Sequence, residues 1–331
     1  MTTDQFRDAL AHRVLVLDGA MATLLSPGLC ADLRAPHGNA STDVACDRLS
    51  VTEPARVRAV HDAYLTAGAD IITTNTFAAA SLGATPRADG QDAGALSRAA
   101  ARLARAAADE WSARTPQRPR LVAGAIGPAW PNPGRDDART AYRAPLFGLL
   151  EGGVDLVLFE TWYSPADLDA ALDALAEAAD LAGRTVPVLV SLALDRNGRL
   201  PISGASLDDA VAALEPHGVF AVGLNCGSGG GQFELALQAL AAGPWWVSCH
   251  PSAGLPNPAG DYPEGPDAFA SQISRYAASG LVNITGGCCG TTPAHTRALA
   301  DAVSGTPPRV PGSLNAAPGA TIAASHPAGT Q

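Results

Sequence analysis

The sequence predicts a single α/β domain, a (β/α)8 barrel over residues 1–303, and three observations carry that expectation. Short apolar runs alternate eight times with longer alanine- and leucine-rich runs, the pattern of βα units. The chain of 331 residues is 47% hydrophobic, which is apolar surface enough for one large core, and barrels of about 250 residues and more fold as one unit. The polar and reactive residues stand directly behind the apolar runs, at the carboxyl ends of the strands, where a barrel carries its site.

In chain order, Thr2 to His12 reads as a short helix closing the bottom of the barrel. Strand 1 is expected over Val14 to Leu17, followed by Asp18 and Gly19, with Cys30 to Asp47 as a long first loop over the top. Strand 2, Ile71 to Thr73, delivers Thr74 and Asn75. The alanine-rich stretch behind it carries Arg98, Arg102 and Arg105 at helical spacing, a solvated face. Strand 3 is Leu121 to Gly124, with Gly127 just past it, and strand 4, Leu156 to Phe159, ends on Glu160 and Thr161. Strand 5 is Val188 to Leu192. Strand 6, Ala221 to Leu224, leads into Asn225, Cys226 and a glycine-rich loop from Gly227 to Gly231. That loop has the spacing of a phosphate loop fragment, but a flexible turn explains it better because no acidic residue ends the next strand. Strand 7, Trp245 to Ser248, precedes Cys249 and His250, and strand 8, Leu281 to Ile284, precedes Cys288 and Cys289. Thr291 or Thr292 caps a last helix with Pro293 in its first turn. Residues 304–331, rich in Pro, Gly, Ala, Ser and Thr, are predicted to stay disordered.

Composition removes several classes of function. All 22 basic residues are arginine, so a lysine Schiff base and a Walker lysine are both excluded. A formal charge of −10 argues against nucleic acid, which needs a basic face. No apolar run approaches the ~20 residues that span a bilayer, and the first residues lack a charged segment leading into an apolar one. The expected location is cytoplasmic, where six cysteines stay reduced and free to bind metal.

The chemistry is concentrated in Gly286-Gly287-Cys288-Cys289-Gly290-Thr291-Thr292-Pro293 and in Asn225-Cys226-Gly227. Three thiolates from strand ends 6 and 8 can hold one zinc and leave a fourth position for substrate, unlike the closed, short-spaced sites of structural zinc. Buried thiols or a vicinal disulfide are the plainer alternatives. Zinc bound by three thiolates is a weak Lewis acid, but a thiol entering the open position loses its proton and stays electron-rich. Such a sulfur suits attack on a methyl group carried by a sulfonium, an ammonium or a cobalt. An amino-acid thiol also needs its ammonium held, and Asp18 and Glu160 are placed for that. The amides of Gly19, Ala20 and Met21 are placed for a carboxylate. Asp18 reads equally well as a helix cap, whereas a glutamate ending an apolar strand is costly to bury without a role. Cys249 and His250 read as pocket-lining residues before ligands. Cys30 and Cys46 have no partner at metal spacing.

On these residues the chain resembles the zinc-dependent homocysteine S-methyltransferase family, with motifs nearest those of the homocysteine-binding module of cobalamin-dependent methionine synthase. The matching segments are Leu17 to Met21, Ala69 to Phe77, Gly223 to Cys226, Ala253 to Asn257 and Gly286 to Pro293. The resemblance implies one zinc on Cys226, Cys288 and Cys289, the homocysteine sulfur in the fourth position, and its amino group on Asp18 and Glu160. It also places Thr74 and Asn225 along the amino-acid pocket. Ala22 stands where the family usually has glycine, and the stretch from Gly127 to Glu160 departs from the methionine synthase pattern. The implied reaction is methyl transfer to homocysteine, giving methionine. The implied donor is S-methylmethionine, S-adenosylmethionine or a methylcorrinoid protein, since no corrinoid-binding motif is present; betaine ranks below these because the first loop shows no aromatic cage. Methyl transfer to another thiol, or a non-catalytic barrel that presents a thiol to a partner, are the rival expectations.

Overall fold

The structure, a computed structural model, describes residues 2–25, 40–83, 92–130, 134–227 and 230–312. Eight parallel strands form one sheet: β1 Leu15–Val16, β2 Ile71–Thr73, β3 Leu121–Ile126, β4 Leu156–Trp162, β5 Val188–Leu192, β6 Ala221–Cys226, β7 Trp246–Pro251 and β8 Ile284–Thr285. Their order is β1-β8-β7-β6-β5-β4-β3-β2. A bridge between Leu17 and Ile71 joins the two ends of that order, reinforced by Asp18 N–H to Ile71 O and Asp70 N–H to Val16 O. The result is the expected α/β barrel.

Alternation along the strands decides what faces inward, because successive side chains of a strand point to opposite faces. Leu15, Ile71, Leu121, Leu156, Leu189, Ala221, Trp246 and Ile284, one from each strand, pack together in the barrel interior. Their neighbours Val16, Ile72, Val122, Val157, Val190, Val222 and Val247 join the larger core under the helices. Following the inner face upward by twos, the residues turn polar: Thr73, Glu160, Ser191, Asn225 and His250 are its upper members. The apolar floor and the polar upper wall are thus consecutive stretches of the same strands.

The helix Thr3–His12 closes the bottom, begun by a capping box between Thr2 and Gln5. Its Phe6 and Leu10 enter the interior cluster. Phe6 stacks on Phe220 with ring centroids 5.3 Å apart, and Phe220 stacks on Trp246. Beside them Asp70, 1% exposed, is ion-paired to Arg13 and Arg118 at 2.6 Å each. Burial would push its carboxyl up, but the two guanidinium groups hold it below the usual range.

The outer helices pack closely through small residues. The face of Ala93–Arg114 that meets the core is alanine at 100, 101, 104, 107 and 108, all fully buried or nearly so. Where this helix meets Gly134–Gly152, a Cβ on Gly148 would lie 2.1 Å from the carbonyl oxygen of Gly94, so only glycine allows the approach. Arg98 and Arg105, expected on a solvated face, reach across to Glu151 and Asp155. Among the described residues no helix is long and apolar enough to cross a membrane.

Three expectations need correction. Residues 40–47 of the expected first loop are helical, within Ala40–Thr52, while 26–39, with Cys30, lie outside the described residues. The inward face of that helix includes Asp47 and Ser50, which bond to Ala78 N–H and to Asn75. A buried face with so many polar members leaves no apolar period to read. Strand 8 starts later than expected because Leu281 belongs to the end of helix Pro266–Ala278, its N–H bonding to Tyr276 O behind the left-handed Gly280. The ordered chain also continues past residue 303. Arg309, 4% exposed, donates to the carbonyls of Ala241, Gly243 and Trp245, and its own carbonyl accepts from Asn283 Nδ2. Residues 313–331 of the expected tail lie outside the described residues.

Candidate metal centre

Cys226 closes β6, and Cys288 and Cys289 stand three and four residues past the end of β8. Their sulfurs meet across the top of β7. Cys226 Sγ is 3.1 Å from Cys288 Sγ, Cys288 Sγ is 3.8 Å from Cys289 Sγ, and all three lie within 4.8 Å of one another. Tetrahedral zinc with Zn–S bonds of ~2.3 Å needs sulfurs ~3.8 Å apart. The Cys288–Cys289 spacing fits as it stands, and the Cys226–Cys288 pair needs to open by less than an ångström. Among the described residues this is the one group of three or more His, Cys, Asp or Glu side chains that could hold a metal.

The backbone explains how distant residues meet. The segment leaving β7 bonds to all three cysteines: Cys288 N–H to Pro251 O, Ser252 N–H to Cys226 O, and Ala253 N–H to Cys289 O. Cys226 itself has φ +57, and Thr161 on β4, two strands away across β5, has φ +62, beside a register shift between Phe159 and Trp162. Side-chain-bearing residues visit this left-handed region at a cost of roughly 1–3 kcal/mol and keep it only where contacts enforce it. Gly290 has φ +77, and the Tyr262 ring occupies the space a Cβ would need. Thiols held this close do not all ionise together, because each thiolate opposes the ionisation of its neighbours. Cys289 is held well below the usual thiol range by hydrogen bonds from Cys226 and Cys288, and Cys288 is pushed up by its two neighbours and by burial.

The sulfurs line a cavity of about 710 Å³ that also contains Asp18, Gly19, Ala20, Met21, Thr74 and Glu160. Asp18 does not cap a helix: its carboxylate accepts from Thr73 N–H at 2.8 Å and from Thr73 Oγ1 at 3.1 Å. Burial nevertheless raises it to about 7. Glu160 rises to about 8, through burial first and then the negative charge of Asp18 and Cys289. Both carboxyls are therefore easier to protonate than an exposed carboxylate, and neither has a salt bridge among the described residues. Of the three expected carboxylate-binding amides, that of Ala20 donates to Thr291 Oγ1 at 3.1 Å. Thr74 Oγ1 bonds to Thr76 Oγ1 and accepts from Ala125 N–H. Asn225 is buried below the sulfurs and bonds to Thr161 and Ser191.

Of the residues left unassigned, Cys249 faces the core under the helices, away from the sulfurs. His250 lines the cavity with neither ring nitrogen hydrogen-bonded, and burial lowers it to about 3, so the ring is neutral. Cys46 also lines the cavity. Sequence reasoning missed the aromatic lining of Phe77, Trp130, Tyr163 and Tyr262, which comes from four separate loops and leaves no local pattern.

With this geometry the comparisons agree. The homocysteine S-methyltransferase family profile matches residues 15–303, and the chain belongs to that family, enzymes that move a methyl group to a thiol. The chain is similar to the homocysteine methyltransferase MmuM from Escherichia coli. To the metallated form it is 27% identical with a TM-score of 0.69, covering 90% of this chain and 98% of that one. To the apo form it is 28% identical with a TM-score of 0.64, covering 88% and 96%.

Proposed function

We propose that the protein transfers a methyl group to the sulfur of homocysteine, giving methionine, with that sulfur held on a zinc ion by Cys226, Cys288 and Cys289. The observation that carries this reading is the meeting of three cysteine sulfurs in one cavity with two carboxyls, the buried Asp18 and the half-buried Glu160, that have no salt bridge among the described residues. A zinc on three thiolates supplies an open position where an entering thiol gives up its proton and remains nucleophilic.

The other tasks fall to the chain. Asp18 and Glu160 accept hydrogen bonds from the substrate ammonium, a charge-assisted pairing strengthened by the enclosed cavity. Thr73 fixes the Asp18 carboxylate, so its orientation is set before substrate arrives. The Gly19 to Met21 turn receives the substrate carboxylate through amides other than that of Ala20, which donates to Thr291 Oγ1, and Thr74 lines the wall beside it. In the transfer a carbon–sulfur bond forms to homocysteine. The bond from methyl to donor breaks with its electron pair going to the leaving group, and the thiol proton passes to solvent.

The donor is read from the rim. Phe77, Trp130, Tyr163 and Tyr262 line the same cavity as the carboxylates, and aromatic faces attract a cation. This favours a small sulfonium, S-methylmethionine or S-adenosylmethionine, over a methylcorrinoid protein. The test offers homocysteine to the zinc-loaded protein with each sulfonium, betaine, methylcobalamin and a methylcorrinoid protein, following methionine by mass. Methionine from a sulfonium is expected. Methionine from the corrinoid protein alone would move the donor to a partner, and none from any donor would favour a barrel that only presents a thiol.

A further inference from the structure

We infer that Asn225 is a positioning residue of the metal centre, fixing the sulfurs of Cys226 and Cys288 and the backbone of Thr161, and that it does not touch the substrate. This rests on reading the three cysteines as a metal centre. A carboxamide has two N–H donors and one oxygen with two lone pairs. In Asn225 the oxygen accepts from Ser191 Oγ at 2.7 Å and from Thr161 N–H at 3.0 Å. The nitrogen donates to Thr161 Oγ1 at 2.7 Å, and its second hydrogen faces Cys226 Sγ at 3.3 Å and Cys288 Sγ at 3.7 Å. All four capacities are taken, and the residue is 0% exposed. No donor or acceptor is left for an amino acid in the cavity.

The partners of this side chain show what it does. Thr161 Oγ1 accepts from Asn225, so its own proton is available to Cys226 Sγ at 3.6 Å. Cys226 thereby faces two donors, one direct and one relayed. Asn225 grips Thr161 by both backbone and side chain, and Thr161 and Cys226 are the two non-glycine residues with positive φ among the described residues. Contacts that over-determine such backbone are what make it persist. Three thiolates on one dication leave a surplus negative charge, which N–H and O–H donors offset while aiming the sulfurs. Groups of this kind behind metal ligands orient the ligands and tune their basicity. Ser191, on the inner face of β5, anchors the amide from the far side.

The test measures metal binding with no substrate present. Zinc affinity of the parent, Asn225→Asp, Thr161→Val and Ser191→Ala is read by competition with a chromophoric chelator. Cobalt is substituted in each for its sulfur-to-metal charge-transfer band. Asn225→Asp keeps the shape and replaces the donor by a carboxylate oxygen, so zinc affinity should fall about 10- to 100-fold and the cobalt band should shift. Thr161→Val and Ser191→Ala should lose less, in the same direction, and they carry the test if Asn225→Asp does not fold. Unchanged zinc affinity and an unchanged band in the folded variants, with a raised KM for homocysteine in Asn225→Asp, would return Asn225 to the substrate pocket and overturn the inference. A parent protein that binds no zinc would instead refute the metal-centre reading, and the inference with it.

Discussion

At the amino-terminal mouth of the barrel Asp70 is buried between two arginines and the opening is filled by Phe6 and Leu10; at the carboxyl mouth Asp18 and Glu160 are enclosed with no salt bridge among the described residues. The carboxyls respond in opposite directions, Asp70 down, Asp18 and Glu160 up. The upper end also holds the two non-glycine positive φ angles found among the described residues and a buried histidine without hydrogen bonds. The lower end pairs its buried carboxylate with guanidinium groups of the same chain, and the carboxyls of the upper end have no such partner among the described residues. Stability is therefore concentrated below and chemistry above, as barrels in general divide them.

That division can be broken most severely at the top. Cys288→Ala leaves two sulfurs, and both zinc content and turnover should fall to background while the fold, held by the lower core, persists by circular dichroism. Retained zinc and full turnover would refute the division at its key point. At the bottom, Asp70→Ala removes the shared partner of Arg13 and Arg118 and the acceptor for Val16 N–H. Breaking a buried pair on one side is costly, so denaturant unfolding should show a loss of roughly 3 kcal/mol with zinc binding unaltered.

A sharper cut separates recognition from metal binding within the upper end. Glu160→Gln keeps shape and removes charge, and losing a charge-assisted hydrogen bond costs roughly 1.5 to 3 kcal/mol. Homocysteine affinity should drop about ten- to a hundredfold. Zinc content should hold, and 4-mercaptobutyrate, which has no amino group, should bind mutant and parent alike. Equal weakening of both thiols would make Glu160 a structural support.

The smallest effect at neutral pH concerns His61, buried in helix Pro54–Ala67 with neither ring nitrogen bonded. Burial lowers it from 6.5 to about 4, with the nearby charges of Asp62 and Arg58 acting in opposite directions. Its folded value lies below its unfolded one, so the unfolded chain binds the extra proton between pH 6.5 and 4. Stability from this group is whole above pH 6.5 and lost as pH falls towards 4. His61→Leu should flatten part of the acid loss in thermal melts, and an identical pH dependence in mutant and parent would contradict this.

Much of this was legible in the residues themselves. The apolar strand cores fell where alternating runs placed them, because a parallel strand buried on both faces reads as a continuous apolar run. Cys226, Cys288, Cys289, Asp18 and Glu160 could be picked out because reactive side chains behind apolar strands have few structural uses. What escaped was the set of contacts with no periodicity. The helix Ala40–Thr52 buries polar groups, Arg309 sits in a segment of low-complexity composition, and the aromatic lining is scattered over four loops. The surroundings of Asn225 escaped for another reason: a residue beside a ligand looks the same in sequence whether it faces substrate or sulfur, and the inferred positioning role rests on its hydrogen bonds alone.

The central claim is that the three cysteine sulfurs hold one zinc and leave a position for the sulfur of homocysteine. X-ray absorption at the zinc edge tests it directly, on the zinc-loaded protein with and without saturating homocysteine. The expected result is three sulfur scatterers at ~2.3 Å and one lighter atom in the free protein, becoming four sulfurs when homocysteine is added, with release of a proton. A first shell that gains no sulfur on addition of homocysteine, or that contains fewer than three at the start, would contradict it.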